Sequence, residues 1–272
     1  MVIRTVVEPN AVLLDKLLAA SGASNILIGG QALAFWIAHY KIRGLTSRNH
    51  PVITLDTDFL ARAADDLDSV KLFASAIGGK AVFAPPTALT SLIGQAELSV
   101  SETEYINVDV IFKVFGLKAD AVRKRAIKVT SNDFSVLIMH PLHVLRSRLQ
   151  NLYKLKDKQN EKGASQLMLS IEVARVFIQK QHKLLSGEGN SNRSPLQPFV
   201  SEIEKMALDD AGRKVAARWG VHVADAIDPG LIPAGAFWDK KWPSLKLLMS
   251  EAYASQVHVP EPSSTPIERM RD

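Results

Sequence analysis

The sequence has no cysteine among its 272 residues. That excludes disulfides, thiolate-ligated metals and a cysteine nucleophile, and it fits a reducing compartment. No apolar run is long enough to cross a bilayer: the strongest, Ile26 to Ala38, is short and contains Gly29, Gly30 and Gln31. The opening residues, MVIRTVVEPN, carry no signal-peptide pattern. A cytoplasmic protein with no membrane partner is expected. Two phosphate-binding signatures are missing as well. No Gly-Lys-Ser/Thr follows the glycine pair, so it is not a P-loop, and it is not part of a G-x-G-x-x-G run either. No histidine has the spacing of a metal ligand pair, and His140 and His143 are read as structural.

What is present is ordinary in bulk. Hydrophobic residues make up 47% and charged residues 22%, the profile of a globular chain. The net charge of +5 and a pI near 9.3 tilt mildly toward a phosphate-bearing or polyanionic partner. The basic residues are grouped. Arg123, Lys124, Arg125 and Lys128 form one cluster, and Arg146, Arg148, Lys154, Lys156 and Lys158 form another.

Periodicity and punctuation predict an α+β (α/β) fold, a mixed sheet flanked by helices and followed by a helical bundle. Helices are expected over 11–20, 31–42, 65–77, 118–125, 141–156, 164–182, 199–219 and 244–253. Strands are expected at 25–28, 52–60, 81–83, 91–100, 105–112 and 134–139. The change from mixed to nearly all-helical pattern suggests an α/β domain over 1–140, a helical domain over 141–259 and a flexible tail over 260–272. Ser186 to Pro198 reads as a linker. Trp219, Trp238 and Trp242 are expected to pin the C-terminal helices together.

The chemistry begins in an unusual strand. In ITLDTDFL, from Ile53 to Leu60, two aspartates interrupt a run of sheet-forming residues. Asp is depleted in strands, and an unpaired buried carboxylate is costly. Side chains two apart share a face, so Asp56 and Asp58 point the same way, with Thr54 beside them. In YINVDVIF, Tyr105 to Phe112, a third aspartate, Asp109, sits in a second apolar strand. If the two strands pair, three carboxylates converge and repel unless a cation lies between them or protons stay on. Oxygen-only ligands suit Mg²⁺ or Mn²⁺. Upstream, Ile26-Leu-Ile-Gly29-Gly30-Gln31-Ala32-Leu33 is a strand, a glycine pair and a helix start, an arrangement suited to phosphate.

Together these motifs resemble the nucleotidyltransferase superfamily that includes DNA polymerase β. Within it the chain looks most like the bacterial AbiEii-type toxins and their minimal relatives. The resemblance rests on Gly29-Gly30-Gln31-Ala32-Leu33, on Thr54-Leu-Asp56-Thr-Asp58-Phe and on Asp109, and covers roughly residues 22 to 157. The sequence departs at Gly30, where many members carry Ser, and in a longer gap between Gly30 and Asp56. The resemblance implies that Asp56 and Asp58 hold two metals. Asp109 would complete the metal site and activate the attacking hydroxyl. Gly29, Gly30 and Gln31 would bind nucleotide phosphates.

After Pro141, Leu142, Leu145, Leu149 and Leu152 form an apolar helical stripe. His143, Arg146, Gln150, Tyr153, Lys154 and Asp157 lie beside it. This polar face is read either as a solvated surface or as a triphosphate clamp, with Arg146 and Lys154 on phosphate and Tyr153 on a base. Arg43 and Arg48 are further candidates for a phosphate. The expected activity is transfer of a nucleoside monophosphate from a nucleoside triphosphate to an acceptor hydroxyl on RNA (a tRNA end), a protein or a small molecule. A toxin with an antitoxin partner would fit. The alternatives are an inactive scaffold of the same fold that binds RNA or a partner protein, and a hydrolase using the same carboxylates.

Overall fold

The computed structural model describes residues 4–42, 55–130, 134–185 and 196–260. Arg43, Arg48 and Thr54 lie outside the described residues, as do most of the expected linker and tail. The chain divides into two compact units, Met1–Val173 and Ala174–Asp272.

The first unit is α+β. Its described strands are β1 (Thr5–Val6), β2 (Ile26–Ile28), β3 (Thr57–Leu60), β4 (Lys80–Phe83), β5 (Leu92–Ser99), β6 (Glu104–Ile111), β7 (Ile127–Thr130) and β8 (Ser135–Ile138). They make one mixed sheet in the order β4-β5-β6-β3-β2-β8-β7, with β1 added alongside β6. The β3–β6 and β2–β8 pairs are parallel, and β2–β3 and β5–β6 are antiparallel. The flanking helices are α1 (Ala11–Ser21), α2 (Gly29–His39), α3 (Leu67–Ile77), α4 (Ala119–Arg125), α5 (Pro141–Lys154) and, up to Val173, the first half of α6 (Glu161–Leu185). Helix α5 lies beyond the change of sequence pattern near residue 140, yet it packs on α2 within this unit.

The core follows from alternation. Phe59 is fully buried and stacks on Phe73 of α3 with ring centroids 4.3 Å apart. With Phe59 committed to that face of β3, Asp58 takes the other. Trp36 of α2 is buried and donates from Nε1 to the Met139 carbonyl at 2.8 Å, tying the helix to the end of β8. Such a bond removes the cost of burying the indole N–H.

Several elements differ from expectation. The aspartate strand begins at Thr57, and Leu55 and Asp56 form a bend. Its partner β2 ends at Ile28, opposite Asp58, where the chain turns into α2. Helix α2 starts at Gly29 rather than Gln31, and Lys41 at φ 54° follows its end. Strands β1 and β7 are additional; β7 carries Lys128 of the first basic cluster.

In the second unit the helix expected over 199–219 is two, α7 (Gln197–Leu208) and α8 (Asp210–Trp219). Asp209, extended at ψ 171°, breaks it, and its carboxylate caps α8 by accepting from Gly212 N at 2.8 Å. The helix expected over 244–253 is fragmented into α9 (Trp242–Leu245), a short 3₁₀ turn and α10 (Glu251–Ala254). Ser250 leaves the helical path because its N–H and hydroxyl both bond to Asp225, at 2.9 and 2.6 Å. Trp238 and Trp242 do pack together, 5.4 Å apart, whereas Trp219 stays partly exposed.

Candidate functional site

The register of one strand pair sets the acidic groups. In the parallel β3–β6 ladder Asp58 stands opposite Asp109, so their Cα atoms sit one strand spacing apart, about 5 Å, with both side chains on the same face. Asp109 also faces Gln95 across the antiparallel β5–β6 ladder. Gln95 Nε2 and Asn107 Nδ2 both donate to Asp109 Oδ1, at 2.8 and 2.7 Å. One oxygen is thereby fixed and the carboxylate's orientation is set.

The glycine turn meets these strands directly. Gly29 is held at φ 68°, and a Cβ placed on it would stand 2.0 Å from Asp58 Oδ2. Only glycine satisfies both the left-handed backbone and this close approach. Helix α2 begins there, and no side chain caps it. Its first-turn N–H groups and positive dipole end therefore adjoin the carboxylates.

A cavity of about 560 Å³ opens at this point. Asp56, Asp58 and Asp109 line it, with Gly29 and Gly30, and so do Arg148, Lys158 and Lys162. Arg148 is 7% exposed; its Nη1 donates to Gln166 Oε1 at 3.0 Å, and its Nε has no partner. Lys158 and Lys162 arrive by a different route. Asn160 caps the start of α6 by accepting from Gly163 N at 2.9 Å. A Cβ on Gly163 would be 2.0 Å from the Lys158 carbonyl oxygen, so this tight junction requires glycine.

The electrostatics match the geometry. Asp58 is pushed up to about 7, first by burial and then by Asp109, against the opposing pull of Arg148. Asp56 is raised too, by burial and Asp109, and lowered in part by Lys158 and Lys162. Burial lowers Arg148, and Asp58 counters it. Among the described residues, no three His, Cys, Asp or Glu side chains stand close enough as placed to hold a metal ion between them. The donor chemistry nonetheless suits a hard divalent cation: every acidic group on the cavity wall is a carboxylate. Burial and then the neighbouring Asp109 keep Asp58 high, and both costs are what such a cation relieves.

The expected clamp residues are elsewhere. Arg146 is exposed and lines a neighbouring cavity, and Lys154 is exposed with Nζ 5.2 Å from the Tyr153 ring. Neither lines the carboxylate cavity. Gln31 is buried in the first turn of α2 and is not among the cavity-lining residues. Arg148 is the residue that the helical stripe conceals. It lies three residues after Leu145 and four before Leu152, hence on the leucine face; an arginine in that phase is the signal for a cation reaching inward. His140 caps α5, with Nδ1 accepting from Leu142 N at 3.1 Å. The sequence matches no protein-family model and no curated protein.

Proposed function

We propose that the first unit is a metal-dependent nucleotidyltransferase, moving a nucleoside monophosphate from a nucleoside triphosphate to an acceptor hydroxyl. The observation that carries this reading is the in-register pair Asp58 and Asp109 beside the Gly29 turn, with buried Arg148 lining the same cavity.

In this reading the triphosphate lies between the start of α2 and the cations of α5 and α6. Gly29 leaves room for the Asp58 carboxylate beside the helix N-terminus, where phosphate oxygens are favoured. Arg148 offers a planar fork of donors, one arm already oriented by Gln166. Asp56, Asp58 and Asp109 would hold a Mg²⁺ or Mn²⁺ ion, which would supply charge neutralisation for the phosphates and acidity at the attacking hydroxyl. Asp109, oriented by Gln95 and Asn107, takes the hydroxyl proton on its second oxygen. The hydroxyl oxygen bonds to the α-phosphorus, and the bond from that phosphorus to the oxygen bridging to the β-phosphate breaks. Pyrophosphate leaves with its charge held by Arg148, Lys158 and Lys162.

The test is transfer of label from α-labelled nucleotides with Mg²⁺ or Mn²⁺ and a panel of RNA, protein and small hydroxyl acceptors. Asp58→Ala is expected to lower transfer at least about a hundredfold while cooperative unfolding is retained. Absence of both label transfer and nucleotide binding in the wild type would overturn the reading. Poor Mn²⁺ binding by the wild type even with nucleotide present, measured by calorimetry, would favour an inactive binding scaffold.

A further inference from the structure

A second cavity, of about 670 Å³, adjoins the first. Ser91, Lys113, Val114 and Phe115 line both, so the two share a wall. The chemistry differs across that wall. The first cavity mixes carboxylates with cations. The second is lined by Lys113, Lys118 and Arg146 and by no carboxylate. His143, in the first turn of α5, also lines it; it is 4% exposed and its Nδ1 has no hydrogen-bond partner. Burial, Arg125 and Arg146 push His143 down to about 4, so the ring is neutral at physiological pH. A buried polar atom without a partner marks a place where an unseen group completes the pairing. Phe115, 45% exposed, sets an apolar ring on the shared wall.

Resting on the nucleotidyltransferase reading, we propose that the second cavity seats the acceptor and that the acceptor is phosphorylated. It is a nucleotide or the end of a nucleotide chain. Its phosphate meets Lys113, Lys118 and Arg146, and a turn of the buried His143 ring brings its Nδ1 to it. Its base lies against Phe115, and its hydroxyl crosses the shared wall toward Asp109. A protein hydroxyl without phosphate would leave this cationic pocket uncompensated. Aromatic stacking beside phosphate contacts is how single nucleotide strands are held without base-specific pairing.

The experiment uses the full chain in EDTA without nucleoside triphosphate. A fluorescein-labelled single-stranded RNA octamer is titrated by anisotropy at several salt concentrations, with a nucleoside monophosphate and an unphosphorylated serine peptide as competitors. The Lys118→Ala/Arg146→Ala variant is expected to bind at least about tenfold more weakly, and its salt slope to fall by roughly 1.4, or 0.7 for each cation removed from a phosphate. Competition by the monophosphate identifies a small nucleotide as the acceptor, and competition by RNA alone identifies a chain end. Unchanged binding by the double variant, no binding by the wild type, or competition by the peptide overturns the proposal. Calorimetry with a non-hydrolysable triphosphate and Mn²⁺ separates the two readings. Triphosphate affinity falling in step in the double variant would put Arg146 in the triphosphate site and sink the acceptor assignment. RNA binding with the expected salt slope but no triphosphate binding at all would sink the transfer reading and leave the phosphate subsite standing.

Discussion

The two walls of the carboxylate cavity are built by opposite means. On the acidic wall the backbone does the positioning: Asp58 and Asp109 face each other because two ladders are in register, and Gly29 brings a helix start against them. On the basic wall the side chains do it. Arg148 reaches in from the leucine face of α5, and Lys158 and Lys162 flank the capped start of α6. A sheet cannot slip by one residue without turning every side chain over, so the acidic wall is rigid. Lysines on flexible stems adapt. A rigid acidic wall suits an ion with strict geometry, and a compliant basic wall suits a phosphate chain that changes as it reacts.

The sharpest way to break this contrast is Gly29→Ala. The substitution forces a Cβ into the left-handed region and to within 2.0 Å of Asp58 Oδ2, so the carboxylate must move. Displacement by about 1 Å at a reacting centre costs roughly a hundredfold in rate, and the backbone strain costs about 1–3 kcal/mol. Steady-state transfer and thermal unfolding measure the two effects. Activity near that of the wild type would mean that the acidic wall is not rigid.

The basic wall should respond less. Arg148→Ala is expected to lower transfer about tenfold, mainly through the KM for triphosphate, and to cost roughly 1–3 kcal/mol because Gln166 loses its partner. Arg148→Lys should recover little, since an ammonium lacks the fork. Lys154→Ala, at an exposed position over Tyr153, should change transfer less than about twofold and stability by under about 0.5 kcal/mol. Equal effects at Arg148 and Lys154 would erase the distinction between the cavity cation and the surface one.

How much of this is legible in the sequence follows the same divide. Strand alternation alone pairs the faces of Asp58 and Asp109, because a period of two leaves no freedom once Phe59 and Val108 are buried. The glycine pair before a helix is legible for the same local reason. Arg148 is not, since a leucine stripe read as wholly apolar hides a long side chain whose charged end leaves the core. Asp56 is legible as a neighbour of Asp58 but not as a bend, because the strand's start is set by its pairing with β6, distant in sequence, which begins at Thr57 opposite Val108. The breaks at Asp209 and Ser250 separate into two kinds. Asp209 caps locally and leaves a trace in Asp-Asp-Ala-Gly. Ser250 is drawn out of its helix by Asp225, distant in sequence, and local pattern carries no record of that.

The remaining prediction is a pH slope, and it tests how strongly burial and the neighbouring Asp109 hold a proton on Asp58. Asp58 has a folded-state value of about 7 against an ordinary 3.8. Between those values the folded chain holds a proton that the unfolded chain has lost. Stability therefore falls as pH rises through that window, by up to about 1.4 kcal/mol per pH unit, and levels off above it. His140 and His143, pushed down to about 3 and about 4 from 6.5, act in the opposite sense: they add stability as pH rises toward 6.5. Asp58→Asn keeps both histidines, so the difference between variant and wild type isolates the aspartate. In EDTA, the variant's thermal advantage should widen from about pH 4 to about pH 7 and then stay level. Added Mn²⁺ should narrow the gap by stabilising only the wild type. A gap that is flat across pH would mean that Asp58 is already balanced by Arg148, and that the acidic wall needs no cation to stand.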